Sequence, residues 1–492
     1  MATRFNGGII GVRNSTTVGL TTGRFSSNEI LLSLKDGTWP IPPVNVSVPV
    51  ISGSTLVGGT LTSTTGTWNN SPTSFAYQWQ RGTSDIGGAT SSTYTAVTAD
   101  VGSTLRCVVT ATNASGSVPA ASANTAVVAV VQGQLWNWGG GAVGVLGQVS
   151  NTTSHSSPVQ VGSATNWTYS ATSQYTSLAV NSLGQLWSWG NAGYYGQSGH
   201  NDLITRSSPT QVGALTNWQK VFNDQQVCCA IKTDGTLWAW GRNYYGNLGD
   251  GTTTNRSSPV QITGSTNWVT ASQGGAFSGT FAINSLGELW STGKNLVGQL
   301  GLNDITNRSS LTQVPGTDWR NVFAGGALCH AIKTDGTMWG WGPSNYSRGC
   351  VGDGTEIKRS SPVQIGALTT WATLRKGNYY SKAALKTDGT MWAWGRNSYG
   401  QLGQNHTDPR SSPVQVGALT TWVSVTNAGG AGCLARKTDG TIWAWGRNTD
   451  GALGIGNTDN RSSPVQIGAL TTWVINGFGG TNHNATSAIK SP

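Results

Sequence analysis

The chain has 492 residues, of which only 10% are charged, with 69 Gly, 23 Trp and a net charge of +10. This length exceeds one domain, and a glycine-rich, charge-poor composition suits many short strands and tight turns and excludes a mainly helical protein. Residues 1–40 carry +2, residues 41–130 none and the remainder +8, from 23 basic against 15 acidic residues. Much of that surplus recurs once per repeat, so it reads as spread around a ring and not as the one-sided footprint of a nucleic-acid binder.

The cysteines Cys107, Cys228, Cys229, Cys329, Cys350 and Cys433 show neither metal-ligand spacing nor a disulfide framework. The longest apolar run, from Ala126 to Val131, is too short to cross a bilayer. The residues after Met1 lack the apolar core of a secretory signal. A soluble protein made in a cytoplasm is expected.

Residues 1–40 have a character of their own. Gly8-Ile9-Ile10-Gly11-Val12-Arg13-Asn14 leads into a Ser/Thr-rich stretch, then Ser26-Ser27-Asn28-Glu29, and closes on Gly37-Thr38-Trp39-Pro40. Ser27 or Asn28 is a candidate cap for a short helix ending near Lys35-Asp36-Gly37. Forty residues cannot support an independent core, so the segment must dock on something else. The order of these motifs resembles the N-terminal segment of many tailed-phage virion proteins, especially from marine and cyanobacterial phages. In that group the middle usually reads S-G-x-W-S-L-N-E, whereas Phe25 stands here where Trp is common. The resemblance covers under a tenth of the chain. It implies a virion anchor carried by Ile9, Ile10, Val12, Asn28, Glu29, Trp39 and Pro40, with other virion proteins as partners.

Pro40-Ile41-Pro42-Pro43 is a stiff linker. Residues 41–130 then show alternating apolar runs at about ten-residue spacing, the pattern of a β-sandwich. Trp68, the run Tyr77-Gln78-Trp79-Gln80, Tyr94, and the stretch from Asp100 to Cys107 resemble a bacterial or phage immunoglobulin-like domain. The resemblance implies Trp79 as the core tryptophan with Cys107 facing it from the opposite sheet. No second cysteine partners it, and Leu105 replaces the usual tyrosine, so Cys107 is expected to be a buried thiol.

Residues 131–492 are repetitive. The tryptophan opening each W-x-W-G falls at 136, 187, 238, 290, 339, 392 and 443, at spacings of 51, 51, 52, 49, 53 and 51. A second marker, S-S-P-V-Q or a variant, begins at Ser156, Ser207, Ser257, Ser309, Ser360, Ser411 and Ser462, and a lone tryptophan follows at 167, 218, 268, 319, 371, 422 and 473. A period near 50 with several short strands per copy predicts a propeller with one blade per copy. In Ala230-Ile231-Lys232-Thr233-Asp234-Gly235-Thr236-Leu237-Trp238, the Asp-Gly pair predicts a hairpin with a type I′ turn. The first W-x-W-G lacks this hairpin partner, and Ser487-Ala488-Ile489-Lys490 matches it. Ala488, Ile489 and Lys490 are therefore expected to pair with the first blade and close the ring.

Gly241-Arg242-Asn243-Tyr244-Tyr245-Gly246-Asn247-Leu248-Gly249, and the similar stretch from Gly395 to Gly403, resemble the regulator-of-chromosome-condensation repeat family. The resemblance implies a seven-bladed propeller that binds through loops on one rim. The family includes exchange factors, bacterial protein inhibitors and uncharacterised binders, and fold alone does not carry function.

The histidines lie in different repeats without H-x-H or H-E-x-x-H spacing, and no P-loop, G-x-S-x-G elbow or paired-carboxylate cluster occurs. An enzyme is not expected, nor a cofactor or metal. Asp234, Asp335, Asp388 and Asp439 read as turn residues. Arg206, Arg256, Arg308, Arg359, Arg410 and Arg461, one before each S-S motif except the first, where His155 stands, read either as a basic rim for an anionic glycan or as bonds within each blade, the second being preferred. Tyr194-Tyr195, Tyr244-Tyr245 and Tyr399 share a loop position, suited either to stacking on sugars or to packing. Blade four has Ser291-Thr292 where the second tryptophan belongs and Leu311 in place of proline, and the next copy carries an altered loop from Pro343 to Cys350. That sector, with Tyr346, Arg348, Tyr244 and Tyr245, is the candidate partner-binding patch.

The expected architecture is all-β: an anchor segment at 1–40, an immunoglobulin-like sandwich at 41–130, and a seven-bladed propeller at 131–492 closed by its last strand. The expected function is that of a phage virion structural protein, a tail-fibre, tail-spike or head-decorating component assembled in the host cytoplasm. Its propeller would bind host surface glycan or protein, or a neighbouring subunit, with no nucleic acid or membrane partner; a homotrimer is one open assembly. The alternative is a bacterial surface or secreted binder, such as an adhesin or protein inhibitor.

Overall fold

The computed structural model describes residues 41–490, apart from 58, 130–132, 149–152, 266, 276–277, 345–348, 375–380, 429–430, 475–476 and 479–484. The predicted anchor residues Ile9, Ile10, Val12, Asn28, Glu29, Trp39 and Pro40 lie outside the described residues, as do Tyr346 and Arg348. The described chain is built from short strands, with two single-turn 3-10 helices and no α-helix among them. Its contacts divide it between residues 130 and 131 into two compact units.

In the first unit, Ser84–Asp85, Ser74–Arg81, Leu105–Asn113 and Gly116–Ala121 form a four-stranded sheet, and Ile51–Gly53, Thr60–Ser63 and Thr93–Thr95 a three-stranded one. Both contribute to one core of Leu61, Trp79, Ala96, Leu105, Cys107, Val109 and Val128. Cys107 does not face Trp79 from the opposite sheet. The two residues are direct partners on adjacent strands of the same sheet, and directly opposed residues share a face. The group facing Trp79 from the other sheet is Tyr94, stacked at 5.6 Å. Burial and the neighbouring Asp100 push the Tyr94 hydroxyl up to about 12. The fully buried Asp100 accepts from Tyr94 Oη, the Val97 amide and the Arg81 guanidinium. That satisfies a carboxylate which would be costly to bury alone.

In the second unit the described strands form seven sheets around a ring, antiparallel except where Gly477–Phe478 pairs parallel with Trp167–Thr172. A representative sheet runs Trp218–Asp224, Val227–Lys232, Leu237–Gly241, Arg256–Gln261. First strands of neighbouring sheets touch, as Trp167–Thr172 does with Trp218–Asp224 and the latter with Trp268–Gln273, so they lie innermost and the S-S-P strands outermost. The sequence repeat is thus out of phase with the blade. Each blade begins at the lone tryptophan and ends at S-S-P-V-Q, and the W-x-W-G copy straddles two blades.

The Asp-Gly turn is not type I′. Gly235 has φ +77° and donates to Lys232 O, and Lys232 donates to Thr236 O, while Asp234 keeps negative φ. This is a three-residue loop, a type I turn followed by glycine in the left-handed region. The reason is the Asp234 carboxylate, which accepts from the Thr236 amide at 2.9 Å and its hydroxyl at 2.6 Å and so holds Asp234 in the right-handed region. The Thr236 oxygen then accepts from Trp238 Nε1 at 2.9 Å. The same three-residue relay recurs at Asp335, Asp388 and Asp439.

The second tryptophan of W-x-W-G joins blades. Trp189 donates to Val145 O, Trp240 to Gln197 O, Trp341 to Gln299 O and Trp394 to Cys350 O, at 2.9 to 3.1 Å. Each acceptor belongs to the preceding repeat. The glycine at the L-G position, Ser198-Gly199 in this copy, leaves the necessary room: a Cβ at Gly199 would stand 2.9 Å from Trp240 Nε1. In blade four the buried Thr292 hydroxyl takes this part, reaching Gly246 O at 2.9 Å and Arg308 O at 2.8 Å. The departure at Ser291-Thr292 is therefore internal and forms no surface patch; Leu311 likewise packs on a core cluster.

The first blade is assembled from both ends of the unit. Its order is His155–Gln160, Gln134–Gly139, Ala485–Lys490, Trp473–Val474, so the C-terminal part supplies two strands and not one. Lys490, Ile489 and Ala488 pair with Gln134, Leu135 and Trp136. Two further bonds join its strands to the seventh repeat: Trp138 Nε1 to Ala452 O at 2.9 Å, and Gly456 N to Ser156 O at 2.8 Å.

Candidate binding surface

The recurring charges separate by position. Each Arg before S-S is answered within its own blade: Arg206 by Asp202 and Arg256 by Asp250 at 2.7 Å, Arg308 by Asp304, and Arg359 by Asp353 at 2.6 Å. Arg461 lies 3.5 Å from Asp459, and Arg410 meets His406 Nε2 at 3.3 Å. The Arg206 guanidinium holds the Asp202 carboxyl down to about 2. At Asp250 and Asp353 burial raises the carboxyl, and bonds from the following Thr and the blade's Arg outweigh it, so both end below the ordinary range. This series is intrablade structure.

The lysines of K-T-D-G lie over tryptophan. Lys232 Nζ is 3.8 Å from the Trp238 ring centroid and 4.7 Å from Trp218. Lys386 and Lys437 stand 3.7 and 3.6 Å from Trp392 and Trp443. Lys333 shares Trp319 and Trp339, and Lys490 covers Trp136 at 5.8 Å. Lys232 is only 6% exposed, so its stem and charge are both spent on packing.

The loops following W-x-W-G emerge at the other end of the same strands, on the opposite face. There the basic residue directly after W-G meets tyrosine across the blade boundary. Arg242 lies 5.4 Å from the Tyr195 ring of the preceding repeat and 4.9 Å from its own Tyr244, and the two tyrosines meet edge to face at 5.6 Å. Lys294 stands 4.9 Å from Tyr245, and Arg447 5.5 Å from Tyr399. Tyr194 is 88% exposed and Tyr244 53%, while Tyr245 is half-buried. The shared tyrosine position is thus both packed and presented. Arg242, Lys294 and Arg447 were missed as candidates, although a basic residue after W-G in three copies, and after the variant Thr292-Gly293 in a fourth, is legible in the sequence.

Among the described residues no three His, Cys, Asp or Glu side chains are grouped to hold a metal ion, and all six cysteines are buried. A cleft of about 260 Å³ lies against His200, Trp218, Trp238 and Pro259. Burial lowers the His200 imidazole below its ordinary range.

The model of the regulator of chromosome condensation (RCC1) repeat matches residues 234–280, 388–435 and 439–486. Three stretches of the ring therefore resemble that repeat. Among similar proteins, the ultraviolet-B receptor UVR8 of Arabidopsis thaliana is 27% identical over 292 residues, 58% of this chain and 65% of that protein. The E3 ubiquitin-protein ligase HERC2 of Mus musculus is 25% identical over 337 residues, 65% of this chain but 7% of the ligase. The chain thus spans less than two thirds of either relative. The structure of human WBSCR16 aligns with a TM-score of 0.65 at 17% identity, over 73% of this chain and all of that one. Prp20p of Saccharomyces cerevisiae aligns at 0.62 and 17%, over 74% and 92%. At these identities the structural likeness speaks to the fold alone: an all-β, RCC1-like propeller.

Proposed function

We propose that the chain is a tailed-phage virion structural protein, a tail-fibre, tail-spike or head-decorating component, whose RCC1-type ring is a rigid binding module. In this reading residues 1–40 attach it to other virion proteins, an immunoglobulin-like unit at 41–130 spaces it, and the ring meets host surface or a neighbouring subunit. The observation that carries the binding role is the division of charge on the ring. The arginines before S-S and the K-T-D-G lysines engage their own blades, while cations and tyrosines converge on the loop face with exposed rings. Prp20p, of like fold, binds Gsp1p and histones, which supports binding as the use of such a ring. The virion role is supported by the motifs of residues 8–40.

Deleting residues 1–40 tests the attachment. In phage produced with the truncated chain, purified particles should lack the protein while its melting transition persists in the soluble fraction. Particles that retain the truncated chain refute the anchor. Recovery of the full chain with a bacterial envelope and never with particles favours the adhesin or inhibitor reading instead.

A further inference from the structure

Arg242 is the most informative cation on the loop face. It has no carboxylate partner among the described residues; one guanidinium nitrogen reaches Gln226 Oε1 at 3.0 Å, and its buried Nε has no partner. Its charge rests on the rings of Tyr195 and Tyr244. Arg447 repeats the arrangement across another blade boundary, with Nε on Thr449 Oγ1 and its guanidinium against Tyr399. A guanidinium whose charge no carboxylate answers, beside a half-exposed ring, is equipped to take an anion and a flat apolar face together.

We propose that this loop face is a docking surface for an acidic polysaccharide, with Tyr194 and Tyr244 stacking on sugar C–H faces and Arg242 taking a uronate carboxylate. Charge complementarity supports an anionic occupant, because the ring carries 23 basic against 15 acidic residues and five of the six arginines before S-S already have a carboxylate in their own blade. The face consists of loops with presented rings and cations, not of a strand edge along which an extended acidic peptide would pair. Tyr194 and Tyr244 hold the same loop position in neighbouring blades, so the stacking position is repeated as a polysaccharide repeats its sugar. The inference deepens the displayed-module reading and rests on it. Particle incorporation tests that reading, and solution binding tests this one, so either can fail alone.

The experiment titrates the full chain with polygalacturonate, with its methyl-esterified form and with poly-glutamate, by calorimetry at moderate salt. Polygalacturonate should bind, and the esterified polymer about tenfold more weakly. Arg242→Gln and Tyr244→Ala should each weaken binding about tenfold with unchanged melting, and Arg461→Gln by less than about twofold. Absence of polygalacturonate binding overturns the proposal. Equal binding of poly-glutamate assigns the face to acidic protein and overturns the carbohydrate. An equal loss in Arg461→Gln reduces it to diffuse charge and overturns the site.

Discussion

On the hairpin-turn face Lys232 lies 3.8 Å from Trp238 and is 6% exposed, whereas on the opposite loop face Arg242 lies 4.9 Å from Tyr244, whose ring is 53% exposed. Both are a cation on an aromatic ring. On the first face the pair is enclosed by the neighbouring Trp218 and tied through Trp238 Nε1 to the Thr236–Asp234 relay. On the second Arg242 also reaches Tyr195 of the preceding repeat at 5.4 Å, and the pair keeps ring surface in solvent. The difference teaches that residue chemistry alone does not separate structure from recognition. Enclosure does, because a desolvated pair stabilises the fold and a half-solvated one leaves capacity for a ligand.

The comparison can be broken by measuring stability face by face. The largest loss should follow deletion of residues 485–492. It removes Lys490 from Trp136 and the strand paired with Gln134–Gly139, costing on the order of 5 kcal/mol, and an unchanged urea midpoint would refute the closure. Trp238→Ala on the hairpin face should cost about 3 kcal/mol, since it strips both Lys232 and Thr236 of their partner.

Between the faces, buried His330 donates from Nε2 to Val351 O at 3.0 Å, and its Nδ1 has no partner. Burial first, and Lys382 second, lower it to about 3. The unfolded chain takes up this proton near pH 6.5. The stability from neutral His330 is therefore full above that pH and falls as pH drops towards 3, by up to about 1.4 kcal/mol per unit. Asp202, held at about 2 by Arg206, adds a further decline below about pH 4, its unfolded value. Urea melts from pH 7 to 4 should show the slope, and His330→Phe should flatten it; an unchanged slope in the variant assigns it elsewhere.

Smaller effects sharpen the contrast. Lys232→Ala should cost about 1 kcal/mol, whereas Arg242→Gln should cost under about 0.5 kcal/mol. Equal losses in thermal melts would erase the distinction between the faces.

Much of this was legible in the primary structure. The W-x-W-G, S-S-P-V-Q and lone-tryptophan markers locate the repeats, and Ala488, Ile489 and Lys490 pair with the first blade. Other features were hidden for specific reasons. The blade boundary falls between S-S-P-V-Q and the lone tryptophan, and a repeating pattern has no intrinsic starting point. Trp473 reads as the end of the seventh copy yet pairs in the first sheet, because ring closure joins segments distant in sequence. Asp-Gly predicts type I′, but Thr two positions after Asp offers its amide and hydroxyl to the carboxylate and selects a type I turn. Thr292 reads as a lost tryptophan, and only the fold shows its hydroxyl meeting a carbonyl across the blade boundary.

The sequence by itself determined the all-β class, the repeat and one of the two C-terminal strands of the first blade, since periodicity and turn chemistry are local and survive without a fold. Tertiary structure decided which cations are used up. Arg206, Lys232 and Arg242 are each one basic residue at a repeating position in the sequence. In the ring the first meets a carboxylate, the second is sealed over tryptophan, and the third is left on tyrosines that face water. Those fates follow from desolvation and from neighbours supplied by other strands, and neither is written in any single repeat.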